Sequence, residues 1–583
     1  MRVIATAGHV DHGKSTLVRL LTGQEPDRWS EEHRRGMTID LGFAWTTSAA
    51  GTLAFVDVPG HGRFVPNMLA GIGPVPAVLV VVAADEGWMP QTAEHVGALD
   101  ALGVERGLLV ITRSDLADPA PAEEQAHQQL ATTTLAGIPS VHVSGATGQG
   151  LQQLRTALAE LARRMPDADA GADVRLWIDR AFAIRGAGTV VTGTLPAGQL
   201  RTGQELRLHP SGRTAAVRGL QCLGSTEDHV AAVARVAVNL RGVDHDELGR
   251  GHALLTPGRW LSTTEIDVRL RGDKAEDLPR ELTLHTGSAA VTTRARPLGA
   301  DTARLRLRAA LPLRIGDRAL LRDPGAHRIA AGVVVLDVRP PALRRRGAAR
   351  ERARVLDGMD GTPDGAAELA RRQLVRRDEL EAMGAQTPFE PSGSWLADPS
   401  HVDERARRLV QLLDEHRAQH PLADGMPAEA ARRALDLPEP ALLDAVLASS
   451  AASEITRRDG RLHRGSSALP DHVRRAVEQV RQSLHQQPFQ APTADELTRL
   501  GLGERELAAA ERAGALVRLA PGLVLLPDAE QRALQRLGEL DAPFTLSRAR
   551  QALGTTRRVA VPLLERLEAR GATVRDGDGH RLR

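Results

Sequence analysis

The run Gly8-His9-Val10-Asp11-His12-Gly13-Lys14-Ser15 follows the apolar stretch Val3-Ile4-Ala5-Thr6-Ala7 and precedes a helical pattern that reaches Leu21. It is a G-x-x-x-x-G-K-[ST] loop set between a predicted strand and a predicted helix, the context in which that spacing makes a phosphate site. Glycines let consecutive backbone N–H groups curl round an anion, and the helix N-terminus adds positive potential. Lys14 is placed to reach β- and γ-phosphates, and the Ser15 hydroxyl suits Mg²⁺. A glycine-rich turn with an incidental lysine is the competing reading. Residue usage argues against it: the chain has 75 Lys plus Arg but only two lysines, Lys14 and Lys274. A chain that otherwise writes its positive charge as arginine uses lysine where a compact ammonium is needed.

The totals leave room for several domains. A length of 583 residues suggests about four at ~150 residues each. Apolar content of 42% and charged content of 25% are those of ordinary globular protein. The most apolar run, 77–84, is too short to span a bilayer, and the N-terminus begins as a strand rather than a cleavable leader. A single cysteine, Cys222, excludes internal disulfides and cysteine-based zinc sites, so a reducing, cytoplasmic setting is expected, with no membrane association. The net charge of +2 says little about partners.

Residues 1–170 read as one α/β nucleotide domain. Apolar β-type runs at 53–58, 77–84, 108–111 and 141–143 alternate with amphipathic stretches such as 91–102 and 150–164. That alternation predicts a parallel sheet covered on both faces, with ligands at the strand C-termini. One strand ends Asp57-Val58-Pro59-Gly60-His61. Asp57 can hold Mg²⁺ through water, Gly60 can turn its N–H to a γ-phosphate, and His61 can orient an attacking water. In the loop Arg34-Arg35-Gly36-Met37-Thr38-Ile39-Asp40, Thr38 can ligate Mg²⁺ while its N–H meets the γ-phosphate, so loss of that phosphate releases the loop. A later strand ends Thr112-Arg113-Ser114-Asp115, whose carboxylate can accept both N1–H and N2–H₂ of guanine. Ser144-Gly145 can reach O6 through backbone N–H.

In order and spacing these motifs resemble the translational GTPases of the elongation factor Tu type, through Gly8 to Thr16, Arg35 to Phe43, and Asp57 to His61. The resemblance implies GTP and GDP as ligands, Mg²⁺, and ribosome-stimulated hydrolysis. It adds Thr16 to the phosphate site and makes Val10 and Ile39 the apolar pair flanking a catalytic His61. One departure stands out. The family has Asn-Lys-x-Asp at the guanine site, and this chain has Thr-Arg-Ser-Asp. Asp115 keeps the base contact, Thr112 loses an amide that braces the loop, and Arg113 can still lay its stem on the guanine face.

After an Asp/Ala/Gly-rich linker at 166–172, short β runs with turn glycines suggest two barrels, over 171–257 and 258–340. Gly186-Ala187-Gly188-Thr189-Val190-Val191-Thr192-Gly193 resembles the second domain of these GTPases, and the next barrel their third. By that resemblance they hold the acceptor end and stem of an aminoacyl-tRNA. Trp177-Ile178-Asp179-Arg180-Ala181-Phe182 resembles the selenocysteine-specific branch. There an Asp-Arg pair and a further Arg form the amino-acid pocket, matched here by Asp179, Arg180 and Arg235. A selenolate is anionic at neutral pH and a serine hydroxyl is not, so two guanidiniums favour the former while Asp179 fixes one of them. A surface ion pair is the plainer reading of the same residues.

From Pro340-Pro341 onward the chain is rich in Ala, Leu, Arg and Glu at helical spacing. Helix, turn, helix and a β-like end recur, with the β ends at 454–463, 515–526 and 572–582 and a degraded copy near 366–396. This order predicts tandem winged helices over 341–583, the last at about 531–583. From Phe544 to Arg583 there are nine arginines against four acidic residues. Gly554-Thr555-Thr556-Arg557-Arg558 opens a helix whose N–H groups and side chains can reach phosphates together. The segment resembles the end of bacterial selenocysteine elongation factors, which grip a messenger RNA hairpin, with Arg557 and Arg558 at the matching basic pair. The expected architecture is therefore a P-loop GTPase domain, two β-barrels and an α-rich tail of winged helices, acting as a monomer. The expected function is GTP-dependent delivery of selenocysteinyl-tRNA to the ribosome at a recoded UGA codon beside an mRNA hairpin. A general or initiator tRNA-delivery GTPase, and a winged-helix DNA regulator with a nucleotide switch, are the rivals.

Overall fold

A computed structural model of the chain describes residues 1–26, 40–59, 67–68, 75–186, 188–387, 389–465, 469–577 and 579–583. Contacts divide it into two compact units, Met1–Glu368 with Arg376–Pro388, and Leu369–Val375 with Phe389–Arg583. No described helix is long and apolar enough to cross a membrane.

The first unit opens with a six-stranded sheet in the order β2-β3-β1-β4-β5-β6. These strands are β1 (Arg2–Gly8), β2 (Gly42–Ser48), β3 (Gly51–Asp57), β4 (Ala77–Ala83), β5 (Gly107–Thr112) and β6 (Ser140–His142). β1 pairs in parallel with β3 and β4, and all seven residues of β4 are buried, as a central strand covered on both faces requires. β2 runs antiparallel to β3 as an edge strand, a departure from the all-parallel expectation. Among the described residues, four helices cover the sheet: α1 (Lys14–Thr22), α2 (Pro90–Ala101), α3 (Pro119–Leu130) and α4 (Leu151–Arg164). Strand alternation sends Val3 and Ala5 to one face, against Val96 and Leu99 of α2 and Leu130 of α3. Ile4 goes to the other, against Leu17 of α1 and Leu154 and Leu158 of α4.

An antiparallel module follows, with β7 (Arg175–Trp177), β8 (Arg180–Ile184), β9 (Gly188–Leu195), β10 (Gln199–Arg201), β11 (Glu205–His209), β12 (Thr214–Cys222), β13 (Ser225–Glu227), β14 (His229–Ala231), β15 (Ala234–Arg241) and β16 (Ala253–Leu255). Its eight-stranded ladder runs β7-β16-β11-β12-β15-β9-β8, with β13 paired to β12 and a separate β10-β14 pair. One apolar core lies within it. The next six strands are β17 (Leu261–Gly272), β18 (Glu281–Thr286), β19 (Ala289–Pro297), β20 (Thr302–Leu313), β21 (Arg318–Asp323) and β22 (Arg328–Asp337). They close into a barrel in the order β17-β20-β19-β18-β21-β22. Helix α5 (Ala348–Asp357) adjoins this barrel through a buried charge network. Asp267 accepts from Arg304 Nε at 2.7 Å and from Arg352 Nε at 2.7 Å, and Arg352 Nη2 donates to Asp337 at 2.6 Å.

The second unit carries the repeats. Helices Pro399–Gln419, Ala428–Ala434 and Pro440–Ala448 pack with a three-stranded sheet that contains the wing Ile455–Arg458 and Arg461–Arg464. A second copy has helices Asp471–Gln486, Ala494–Arg499 and Glu504–Arg512 and the hairpin Val517–Ala520 with Leu523–Leu525. A third has Ala529–Leu537, Leu546–Leu553 and Arg557–Ala569 and the hairpin Thr573–Asp576 with Gly579–Leu582. These last two copies share one core, from Val473 to Leu567, with Phe489 and Phe544 buried in it. Two short helices, Gly365–Arg372 and Arg377–Ala382, lie where the degraded copy is expected.

Candidate functional site

The loop after β1 is wound for an anion. Gly8 has φ 144°, Asp11 65° and Gly13 82°, and Gly13 caps α1 with no side-chain hydrogen bond, so the positive end of the helix opens on the loop. A Cβ on Gly8 would lie 2.2 Å from the Val81 carbonyl oxygen, so no other residue fits there. Lys14 is 6% exposed, and its Nζ donates to the carbonyls of Gly8 at 3.1 Å and His9 at 2.6 Å, so the ammonium arches back over the loop.

Beneath the loop, Asp57 is fully buried. Thr6 Oγ1 donates to Asp57 Oδ1 at 2.7 Å and Ser15 Oγ to Oδ2 at 2.6 Å. Burial pushes the Asp57 carboxyl above its usual range, against the pull of Ser15, Lys14 and Thr6. A desolvated carboxylate touching a serine hydroxyl at the head of a phosphate loop fits a divalent cation, which would favour its ionised form. Thr38, Ile39, Gly60 and His61 lie outside the described residues.

The residues expected at the base site close round the same loop. Thr112 Oγ1 donates to the His12 carbonyl at 2.8 Å, so a hydroxyl reaches the phosphate loop from the position where the related GTPases carry an amide. Arg113, at φ 54°, gives its Nη2 to the Asp11 carbonyl and pairs through Nη1 with Asp85 at 2.9 Å and Glu86 at 2.7 Å. Asp115 is exposed, as an acceptor for a base must be, while Ser144 is buried and its hydroxyl receives the Thr147 N–H at 3.1 Å. Gly145 lies over the side chains of Thr16 and Leu20.

Two further supports were not visible in the sequence pattern. His95 of α2 accepts the Gly8 N–H at Nδ1, 3.1 Å, and Gln91 accepts the Val10 N–H at 3.1 Å. His12 turns its ring inward, fully buried, where Nδ1 accepts the Ala83 N–H at 3.3 Å. Burial holds the His12 pKa at about 4 and the His95 pKa at about 3, so both imidazoles are neutral acceptors at pH 7. The signal that could have found His95 and Asp85 is the rule that strand C-termini build the site: β4 ends at Ala83, and α2 follows it.

A second cluster lies between β2 and the antiparallel module. Arg235 of β15 makes a bidentate pair with Asp179, through Nη1 to Oδ2 and Nη2 to Oδ1 at 2.8 Å, and Thr192 Oγ1 donates to Asp179 Oδ1 at 2.6 Å. Arg180 pairs with Asp40 at 2.8 Å and donates to the Leu41 carbonyl at 2.9 Å. Both guanidiniums line a cavity of about 280 Å³ with Phe43, Trp45, Phe182 and Thr192. In the tail, Arg557 and Arg558 are exposed at the N-terminus of Arg557–Ala569, and Arg558 Nη2 donates to the Pro492 carbonyl at 2.5 Å. Thr555, expected only as part of that helix start, is buried and bonds the Phe489 carbonyl.

Comparison with known proteins agrees with this geometry. Residues 1–164 match the family described as elongation factor Tu GTP binding domain. Residues 263–342 match the selenocysteine-specific elongation factor β-barrel domain, and 535–582 the elongation factor SelB winged helix. The chain is 31% identical to the selenocysteine-specific elongation factor of Escherichia coli, over 100% of this chain and 98% of that protein. It is 37% identical to the corresponding protein of Desulfomicrobium baculatum, over 62% of this chain and 59% of that one. Among solved structures, a bacterial selenocysteine-specific elongation factor EF-Sec aligns over 100% of both chains, with a TM-score of 0.73 and 25% identity.

Proposed function

The chain belongs to the selenocysteine-specific elongation factors, translational GTPases, and from that membership we propose that it carries selenocysteinyl-tRNA to the ribosome and is held at its codon by an mRNA hairpin. The observation that carries this reading is the meeting of Arg180 and Arg235, the latter paired with Asp179, at one cavity bordered by a strand of the nucleotide domain. Two guanidiniums favour a selenolate over a neutral hydroxyl, and Asp179 offsets their mutual repulsion.

At the nucleotide, Gly8 to Gly13 and the α1 N-terminus bind the phosphates, and Lys14 supplies a charge toward the β- and γ-phosphates. Asp115 accepts from the guanine edge, while Thr112 and Arg113 brace the loop that presents it. Ser15, Asp57 and Thr38 are the residues that would hold Mg²⁺, which when bound neutralises charge on the phosphates. By the family likeness His61 is the residue that orients the attacking water, and Val10 and Ile39 match the apolar pair that goes with it. GTP orders the segment of Thr38 and the turn of Gly60, and hydrolysis releases both. In the tail, Arg557 and Arg558 meet RNA phosphates, and tethering raises the local concentration of the factor at one codon. Translation places this work in the cytoplasm.

The test is GTP turnover by the full chain on ribosomes programmed with UGA, with and without the downstream hairpin of its own selenoprotein messages. The proposal expects selenocysteinyl-tRNA and the hairpin together to stimulate turnover. Equal turnover with any aminoacyl-tRNA, hairpin or none, contradicts it.

A further inference from the structure

The cavity beside Arg180 and Arg235 has a wall that belongs to the nucleotide domain. Phe43 lies on the antiparallel edge strand β2, three residues after Asp40. The Arg235 Cζ sits 3.9 Å from the centre of the Phe43 ring, and the Arg180 Cζ 5.9 Å. One ring therefore faces both cations. A guanidinium has a flat face and a donor edge, and the two can serve different partners. Arg235 gives its Nη edge to Asp179 and its face to Phe43. Arg180 gives Nη2 to Asp40 and the Leu41 carbonyl, on the same strand entry.

We propose that Phe43 is a specificity-determining positioning residue of this pocket, the aromatic plate that holds the Arg235 guanidinium in the plane where it can meet an anionic side chain. This rests on the reading of the cavity as the selenocysteine pocket and adds a residue from the other side of the domain junction. The ring does two things. Its negative face offsets part of the repulsion between the two guanidiniums without offering a hydrogen bond that would compete with an anion. It also covers one face of Arg235, whose Nη edge is held by Asp179. A leucine would fill similar space and keep β2 apolar but has no π face.

The experiment uses the full chain with GTP and measures dissociation constants for selenocysteinyl-tRNA and its seryl precursor, for the wild type, Phe43→Leu and Phe43→Trp. GTP affinity of each variant is the control for an intact nucleotide domain. The expected result is that Phe43→Leu loses about tenfold of the preference for selenocysteinyl-tRNA, as one desolvated cation–π contact implies. Seryl-tRNA binding and GTP affinity stay at the wild-type values, and Phe43→Trp keeps the preference. An unchanged preference in Phe43→Leu overturns the proposal, with the pocket reading left standing. A loss equal for both tRNAs, or one that Phe43→Trp does not restore, overturns it as well, because packing alone would do that. A wild type with no preference overturns the pocket reading itself and this inference with it.

Discussion

Replacing Asp267 by asparagine tests the energetics of the closed barrel. Asp267 is fully buried and receives Arg304 Nε at 2.7 Å, Arg304 Nη2 at 3.0 Å and Arg352 Nε at 2.7 Å. Arg304 and Arg352 are 4% and 8% exposed, and Asp337, which takes the other end of Arg352, is 3% exposed. The two buried carboxylates and two buried guanidiniums cancel, with the partly exposed Glu265 lying 3.8 Å from Arg304 at the rim. The substitution would remove one negative charge and set an amide NH₂ against two donor groups. Breaking a buried pair from one side costs about 3–5 kcal/mol, because the desolvated partner is left uncompensated. A folded domain has a margin of only about 5–15 kcal/mol. The assay is thermal unfolding of Asp267→Asn followed by near-UV absorbance and calorimetry. The transition containing the barrel should fall by about 6–20 °C at ~2–4 °C per kcal/mol. Asp301→Asn is the control, because its partner Arg269 meets a carboxylate that is 47% exposed, and such pairs contribute about 1 kcal/mol or less. Equal, small shifts for the two variants would refute the claim that the Asp267 network holds α5 to the barrel.

Other outcomes follow from the nucleotide site and the tail. Asp115→Asn should weaken GTP binding on the order of 100-fold or more, since two charge-assisted bonds to guanine are lost, and should regain affinity for xanthosine triphosphate, whose O2 can accept from the new amide. Equilibrium titration with both nucleotides checks this, and unchanged GTP affinity would exclude Asp115 from the base site. His12 and His95 have folded pKa values of about 4 and about 3, depressed by burial from 6.5. A depressed histidine gives stability that is present above pH 6.5 and lost as the pH falls, because the unfolded chain takes up the proton first. Between pH 7 and pH 5 the nucleotide domain should lose about 2 kcal/mol for each of the two. Melting at both pH values should show the loss, reduced in His95→Gln. Arg557→Ala should weaken hairpin binding and lower the slope of log K against log salt by about 0.7–0.9, one phosphate contact.

What could be read from the sequence was set by local chemistry. The Gly8–Ser15 spacing, the Asp57 strand end and the alternation of apolar runs with helices follow from rules that act within a few residues, and the nucleotide fold and the winged-helix hairpins appear where those rules put them. The Asp179–Arg235 pair was legible only through family likeness, since 56 residues separate its partners and nothing local couples them. Phe43 and Asp40 were invisible because their role arises where two domains meet. The strand Gly42–Ser48 is not among the β-type runs read from the sequence, since its polar half Thr46-Thr47-Ser48 breaks the apolar pattern begun by Phe43-Ala44-Trp45. Asp267 and Arg304 carry no local signal of burial, being charged residues within β runs. Only the packing of Arg352 from α5 against them shows that they are buried.

The central claim is that Arg180 and Arg235 select an anionic amino acid when GTP is bound. Its most direct measurement is the rate of spontaneous ester hydrolysis of selenocysteinyl-tRNA and seryl-tRNA in the presence of the GTP-bound chain. The account predicts strong protection of the selenocysteinyl ester, little protection of the seryl ester, and loss of the difference in Arg235→Ala. Equal protection of the two esters by the wild type would contradict it.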